Sequence, residues 1–290
     1  MRLVYFLFIF CITPINLANA EQPPIRFGLT AVIVTENLRF LDQWSQYLEL
    51  KMGRKVEFVL RKSYREVMDL LESGGVEFAW ICGYPYIQTR KPEFLNLMAV
   101  PVYRGEPRYH SYIIVHHDSP YKRFSDLKGK IFAFSDPDSN SGFLYPLALM
   151  SEKDENTETF FRQSFFTFNH AETIQAVSER VSDGGAVDSY IWEYLAIFKP
   201  EITSKTRIIN KSPSFGFPPI VSRLGLNPST VNLMQDTLEN MDKEIDGRVL
   251  LERLKLDGFG EYPDTLFNGI RAMANSTQGA NLKLSLLPVD

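Results

Sequence analysis

Residues 130–150 read KIFAFSDPDSNSGFLYPLALM, and their order decides the fold. Ile131-Phe132-Ala133-Phe134 is an apolar run of the length of a buried strand. Asp136-Pro137-Asp138 forms a turn, Ser139-Asn140-Ser141-Gly142 follows, and Phe143 to Met150 is apolar and helix-compatible. Strand, polar turn and helix in that order set small hydroxyl and amide side chains on the first turn of a helix. Backbone N–H groups there have no intrahelical partner and lie at the positive end of the helix dipole, which suits an anionic oxygen cluster such as phosphate, phosphonate or sulfate. The same residues also suit plain capping, in which Ser139 or Asn140 touches no ligand.

Upstream, Ile25–Val34 reads as a strand ending at Thr35-Glu36-Asn37. Leu38, Leu41, Trp44 and Leu48 then recur at helical spacing until Gly53. Val56–Leu60 is a strand, Ser63-Tyr64-Arg65-Glu66 has the form of a capping box, and Gly74-Gly75 ends the helix it opens. Val76–Ile81 is a third strand. This βαβαβ order predicts a parallel sheet flanked by helices. Leu97–Val102 and Tyr112–Val115 read as further strands, and Ser125–Gly129 as one helical turn.

Downstream, Glu152–Glu158 is a charged connection, Phe165–Phe168 a strand, and Ala171–Val181 a helix introduced by Asn169-His170. Ala186–Tyr190 is strand-like and Trp192–Phe198 a short helix, so residues 117–211 make a second α/β unit. Ser212–Arg223 (SPSFGFPPIVSR) is Pro-rich and suits a restrained crossing between units. Asn227-Pro228 opens a helix whose apolar stripe is Val231, Met234, Leu238, Met241 and Ile245. Residues from 268 onward are weakly patterned and read as a surface tail.

The chain has 290 residues, 44% hydrophobic and 23% charged, ordinary for a globular protein of one large domain or two lobes. Arg2, the apolar Leu3–Ile12 and Ala18-Asn19-Ala20 give residues 1–20 the form of a cleaved secretory signal peptide, with a mature protein starting at Glu21 outside the cytoplasm. Loss of Arg2 takes the formal charge from −4 to −5, because residues 1–20 hold no Asp or Glu. A mildly acidic chain without basic runs argues against nucleic acid as partner. Only Cys82 remains after cleavage, so no disulfide framework exists. His116-His117 lie in a strand-like run and are expected on opposite faces, a poor metal pair. No metal or other cofactor is expected.

The ordered pieces SYREVMDLLESGGVEFAW, GEPRYHSYIIVHHDSPYKRFSDLKGK, FAFSDPDSNSGFLYP, NHAETIQAV, VDSYIWEYL and SPSFGFPPIV resemble the periplasmic substrate-binding proteins of phosphate, phosphite and phosphonate ABC transporters over roughly residues 25–260. The resemblance implies an α/β, type II periplasmic binding protein fold. Two lobes, each a sheet flanked by helices, would be joined by two hinge strands. Lobe 1 would be residues 25–115 plus 215–265 and lobe 2 residues 116–214, with crossings near Val115–Ser119 and Lys211–Phe217 and a tail over 266–290. It implies a non-enzymatic receptor, monomeric, that closes on a small anionic ligand and delivers it to a membrane permease. A sensor presenting its closed form to a histidine kinase, or a binder of a different small ligand, is the alternative output. By the same resemblance Ser139, Asn140, Ser141, Tyr64, Tyr109 and His170 would contact the ligand's oxygens. Asn140 stands where the family often has Thr and keeps a donor. Glu193 matches the first of two acidic residues that hold the amine of an aminoalkyl phosphonate, and Pro218 stands where the second would be. Tyr86, in Gly83-Tyr84-Pro85-Tyr86 at a strand end, would line the pocket.

Overall fold

The computed structural model describes residues 22–30, 38–88, 94–153 and 155–278. The expected leader, Thr35-Glu36-Asn37 and the chain beyond 278 lie outside these residues. Strands in chain order are β1 (Ile25–Leu29), β2 (Val56–Leu60), β3 (Phe78–Trp80), β4 (Leu95–Val102), β5 (Arg108–Tyr109), β6 (Ser111–His116), β7 (Ile131–Phe134), β8 (Gln163–Phe166), β9 (Gly184–Asp188), β10 (Thr206–Lys211), β11 (Phe215–Gly216), β12 (Ile220–Arg223) and β13 (Gly258–Gly260).

They form two sheets and a ribbon. The first sheet runs β13-β4-β12-β3-β1-β2, with β1 parallel to β2 and β3, and β12 antiparallel between β3 and β4. The second runs β10-β6-β9-β7-β8, with β7 parallel to β8 and β9 and β6 antiparallel to β9 and β10. The ribbon β5/β11 pairs Tyr109 with Phe215 and Arg108 with Gly216, where the chain passes between sheets.

Local rules account for the helices that matter. In Leu38–Met52 the stripe Leu41, Trp44 and Leu48 is buried, and Trp44 meets Trp80 of β3 edge-on at 6.2 Å. Ser63 caps Tyr64–Ser73: its Oγ accepts from Glu66 N–H at 3.2 Å while Glu66 accepts from Ser63 N–H at 3.0 Å. Gly74 ends that helix at φ 73°, a conformation open to glycine. Phenylalanines fill the second unit: Phe132 stacks on Phe161 at 4.5 Å and Phe124 on Phe160 at 5.0 Å. Each buried ring contributes roughly 1.5–3 kcal/mol through area removed from water.

Several expectations need correction. Residues 111–115, placed in the first lobe by sequence, belong to β6 of the second sheet, because β6 takes its hydrogen bonds from β9 and β10. The first crossing therefore falls at β5, upstream of Val115–Ser119, whereas the second lies within the expected Lys211–Phe217. The stripe from Val231 to Ile245 is broken: one helix ends at Glu239, another starts at Ile245, and Ile245 is 73% exposed. A 3₁₀ turn, Met241–Lys243, intervenes, and the second helix packs so closely on it that a Cβ at Gly247 would sit 2.1 Å from the Met241 carbonyl oxygen. Asn268–Gln278 is a helix with Ile270 and Ala274 buried, not a surface tail. His116 and His117 have their rings stacked at 4.6 Å, because the strand ends at His116 and alternation ends with it. Asp118 joins them, but it is paired with Arg180 at 2.9 Å and its N–H donates to His116 Nδ1, so two of the lone pairs a metal would use are taken.

Candidate ligand-binding cleft

The β7 strand ends at Phe134 and the chain turns through Asp136–Asp138 into a π-helical turn, Asn140–Leu144, that continues as the α-helix Tyr145–Ser151. Ser139 is the N-cap, its Oγ accepting from Gly142 N–H at 2.9 Å. The capping role expected of it is real, yet the hydroxyl proton stays available to a further acceptor. Gly142 is forced by close approach: a Cβ would lie 2.5 Å from Ser135 Cβ. Ser111 Oγ holds the Ser141 carbonyl at 2.6 Å, tying the turn to β6. Ser139, Asn140 and Ser141 are all buried.

Residues from the first sheet close over this turn. Asn140 N–H donates to Cys82 Sγ at 3.3 Å, and Asn140 Nδ2 donates to the Tyr109 hydroxyl at 2.9 Å. The Tyr64 hydroxyl lies 3.4 Å from His170 Nε2. Asp188 N–H donates to His170 Nδ1 at 3.1 Å, so Nδ1 is an acceptor and the ring proton sits on Nε2. Burial pushes the imidazole down to about 3, which keeps it neutral. His170 thus donates to Tyr64, and the Tyr64 phenol keeps its own proton for another acceptor.

Burial also raises both phenols well above their usual range and the Cys82 thiol up to about 12. The same cause pushes the Asp136 carboxyl up to about 7 and Asp188 up to about 8. The phenols, the thiol and the imidazole therefore offer neutral donors around a helix start, with the Asp136 carboxyl, partly ionised at neutral pH, accepting beside them. Two buried atoms there lack a hydrogen-bond partner: Ser141 Oγ, beside the Tyr109 phenol, and Asn140 Oδ1. Buried polar atoms are rarely left so, and each costs about 1–3 kcal/mol until something fills it.

Ser139, Asn140, Ser141, Tyr64, Tyr109 and His170 are brought together. Glu193 and Tyr86 are held by other partners. Glu193 accepts from Tyr112 at 2.6 Å and from Tyr103 at 2.7 Å, and pairs with Arg104 at 2.7 Å, so both of its oxygens are engaged. Tyr86 donates to Asp264 at 2.8 Å and packs on Phe267. Pro218 offers its carbonyl to Trp80 Nε1 at 2.8 Å. Sequence reasoning missed Cys82, Asp136 and Asp188. Asp188 could have been found as an N-cap, since its Oδ1 accepts from Tyr190 N–H at 2.7 Å ahead of the helix Ser189–Phe198.

Two α/β sheets joined by a ribbon and closed over a buried polar cleft define a bilobal ligand-binding protein. The matching family model, the periplasmic substrate-binding protein of phosphonate ABC transporters, covers residues 32–267, and the chain belongs to that family. It is 27% identical over 265 residues to the phosphonates-binding periplasmic protein of Escherichia coli (strain K12), covering 89% of this chain and 78% of the relative. Its fold resembles a binding protein component of an ABC phosphonate transporter from Pseudomonas aeruginosa, with a TM-score of 0.83, 22% identity, and 92% and 91% of the two chains covered. It also resembles a Prochlorococcus marinus protein in complex with methylphosphonate, with a TM-score of 0.77, 17% identity, and 88% and 98% covered.

Proposed function

We propose that this protein captures a small phosphorus oxyanion (a phosphonate, phosphite or phosphate) between its lobes and delivers it to the membrane permease of an ABC transporter. The observation that carries this is the pair of unpartnered buried atoms, Ser141 Oγ and Asn140 Oδ1, inside a ring of neutral donors. Ser139 and Tyr64 each have a hydroxyl proton to give to an oxyanion, and Ser141 Oγ, beside the Tyr109 phenol, can turn to it. Asn140 Oδ1 can accept the proton that a singly protonated phosphonate, phosphite or phosphate retains and sulfate does not. Neutral donors suffice in such a place, because hydrogen bonds strengthen where water is excluded. The relatives' own ligands support the reading: one is named for phosphonates and one holds methylphosphonate.

Residues 1–20 act as the export signal, and the protein works in the periplasm. The β5/β11 ribbon serves as the hinge. The output is binding without chemistry: both His170 nitrogens are committed, Nδ1 to Asp188 and Nε2 to Tyr64, and among the described residues of the cleft no nucleophile stands beside a free base.

The test is thermal unfolding of the mature protein with phosphate, phosphite, methylphosphonate, 2-aminoethylphosphonate and sulfate. A ligand at a hundred times its Kd stabilises the folded state by about 2.7 kcal/mol. The expected result is a concentration-dependent rise in Tm with one of the phosphorus compounds, none with sulfate, and loss of the rise in the double variant Ser139→Ala, Ser141→Ala. A rise with sulfate alone, or with none of the five, rejects the assignment.

A further inference from the structure

The turn that leads into the anion-binding helix start makes a second kind of contact across the cleft. Asp136 Oδ2 accepts from the backbone N–H of Tyr64 at 3.2 Å, while Oδ1 accepts from Asp138 N–H at 2.7 Å. Asp138 Oδ1 in turn pairs with Arg65 Nη2 at 3.0 Å. Asp136 and Asp138 follow β7 of the second sheet, whereas Tyr64 and Arg65 open the helix that follows β2 of the first. The bonds therefore join the two halves. They exist only when the halves are together.

The partners are well chosen for this. Tyr64 N–H is one of the orphan donors of a ten-residue helix, Tyr64–Ser73, whose cap Ser63 is committed to Glu66. A carboxylate at that end also meets the positive end of the helix dipole. Asp136 is buried at 2% exposure and Asp138 at 8%, while Arg65 reaches Asp138 from the solvent side with most of its side chain exposed. Beyond closing the gap, the contact fixes the first residue of the helix, and that residue is Tyr64, whose phenol faces His170.

We infer that Asp136 and Asp138 are positioning residues for ligand capture: they clasp the start of the helix Tyr64–Ser73 across the cleft, so that closure and delivery of the Tyr64 hydroxyl to the oxyanion are one event. They touch no ligand atom in this scheme. They act through Tyr64, and they do so after encounter, once the halves have met. This rests on the cleft being the ligand site proposed above.

The experiment is stopped-flow binding of phosphite and methylphosphonate to the mature wild type and to Asp136→Ala, Asp136→Asn, Asp138→Asn and Arg65→Gln. A clasp formed only in the closed state holds ligand in, so the dissociation rate rises and the association rate stays within about twofold of wild type. Asp136→Ala loses both accepted hydrogen bonds and is expected to release ligand roughly 10- to 100-fold faster, in line with hydrogen bonds to a charged group. Asp136→Asn keeps a carbonyl acceptor for Tyr64 N–H and recovers part of that loss. Asp138→Asn and Arg65→Gln, which break an ion pair with one exposed partner, raise the rate roughly two- to fivefold and do not add when combined. A merely structural role gives a different result: fewer active molecules, with the dissociation rate unchanged. Dissociation rates within twofold of wild type in all four variants overturn the clasp. If the wild type binds neither probe, the functional reading fails and the clasp falls with it, whereas a wild type that binds beside variants with unchanged dissociation rates rejects the clasp alone.

Discussion

Two polar clusters sit between the halves of this molecule, and they differ in what remains unused. Around Glu193, Tyr103, Tyr112 and Arg104 supply donors to both carboxylate oxygens, and each oxygen has a partner. Around Asn140, the Tyr109 hydroxyl, Cys82 thiol and His170–Tyr64 pair surround two buried atoms that no group satisfies. Both clusters look alike in sequence, as aromatic and ionisable residues in the right order along the chain. The first is a finished piece of architecture that ties the cleft wall together. The second keeps hydrogen-bonding capacity in reserve, and the proposed oxyanion would use it. Surplus hydrogen-bonding capacity, more than residue type, separates a site from a strut.

The contrast can be broken most sharply at Glu193. Replacing it with Ala leaves Tyr103, Tyr112 and Arg104 facing an empty acceptor position in a partly buried place, and we expect a loss of about 3 kcal/mol in stability. In a chemical denaturation series the midpoint should fall accordingly, while the affinity of the refolded protein for its oxyanion changes less than about threefold. A variant that keeps its stability and loses ligand would merge the two clusters into one site.

His170 sharpens the comparison through pH. It is neutral in the folded protein, with its pKa pushed down to about 3 by burial, whereas in the unfolded chain it titrates near 6.5. Between those values the unfolded state binds the extra proton, so stability is full above about 6.5 and falls as pH drops. The slope is about 1.4 kcal/mol per pH unit, or about 2 kcal/mol by pH 5. A His170→Gln protein should lose this component, giving a flatter stability profile between pH 6.5 and 5. Parallel profiles for the two proteins would show that the ring is not held neutral.

The smallest expected effect on folding, at Ser141, is also the most diagnostic. Its Oγ is buried without a hydrogen bond, so Ser141→Ala should raise the stability of the free protein by about 1 kcal/mol and weaken oxyanion binding roughly tenfold by calorimetry. A destabilised Ser141→Ala with unaltered affinity would place the hydroxyl among the struts.

Much of the fold was legible because local chemistry and tertiary packing agree. The Ser63 box, the Gly74 stop, the Leu41-Trp44-Leu48 stripe and the Ile131–Phe134 run all give the element that the sequence implies. The sheet boundary near Val115 was not legible, since β6 is equally apolar whichever sheet it joins, and only its pairing with β9 and β10 decides. The stripe continuing to Ile245 misled for a related reason. Periodicity survives a turn of the chain when the residues on either side happen to keep phase, and the need for glycine at 247 is visible only once Met241 lies against it. The anion turn was legible by its hydroxyls. The Asp136-Pro137-Asp138 segment was legible as a turn but not as a contact across the cleft, because its partners, Tyr64 and Arg65, are seventy-odd residues upstream.

The position of β12 carries a consequence for how the molecule is made. This strand lies between β3 and β4, yet it is encoded after the whole of the second sheet. A ribosome, working from the N-terminus, releases β1 to β4 long before the strand that must separate β3 from β4. The second sheet has no such debt to later sequence, because β6 to β10 are contiguous in the chain. The middle of the protein can therefore reach its native pairing while the beginning still waits for the end. Until then, β3 and β4 lack the strand that pairs with both, so the chain's most vulnerable interval is the emergence of residues 111–219, whether from the ribosome or across the membrane.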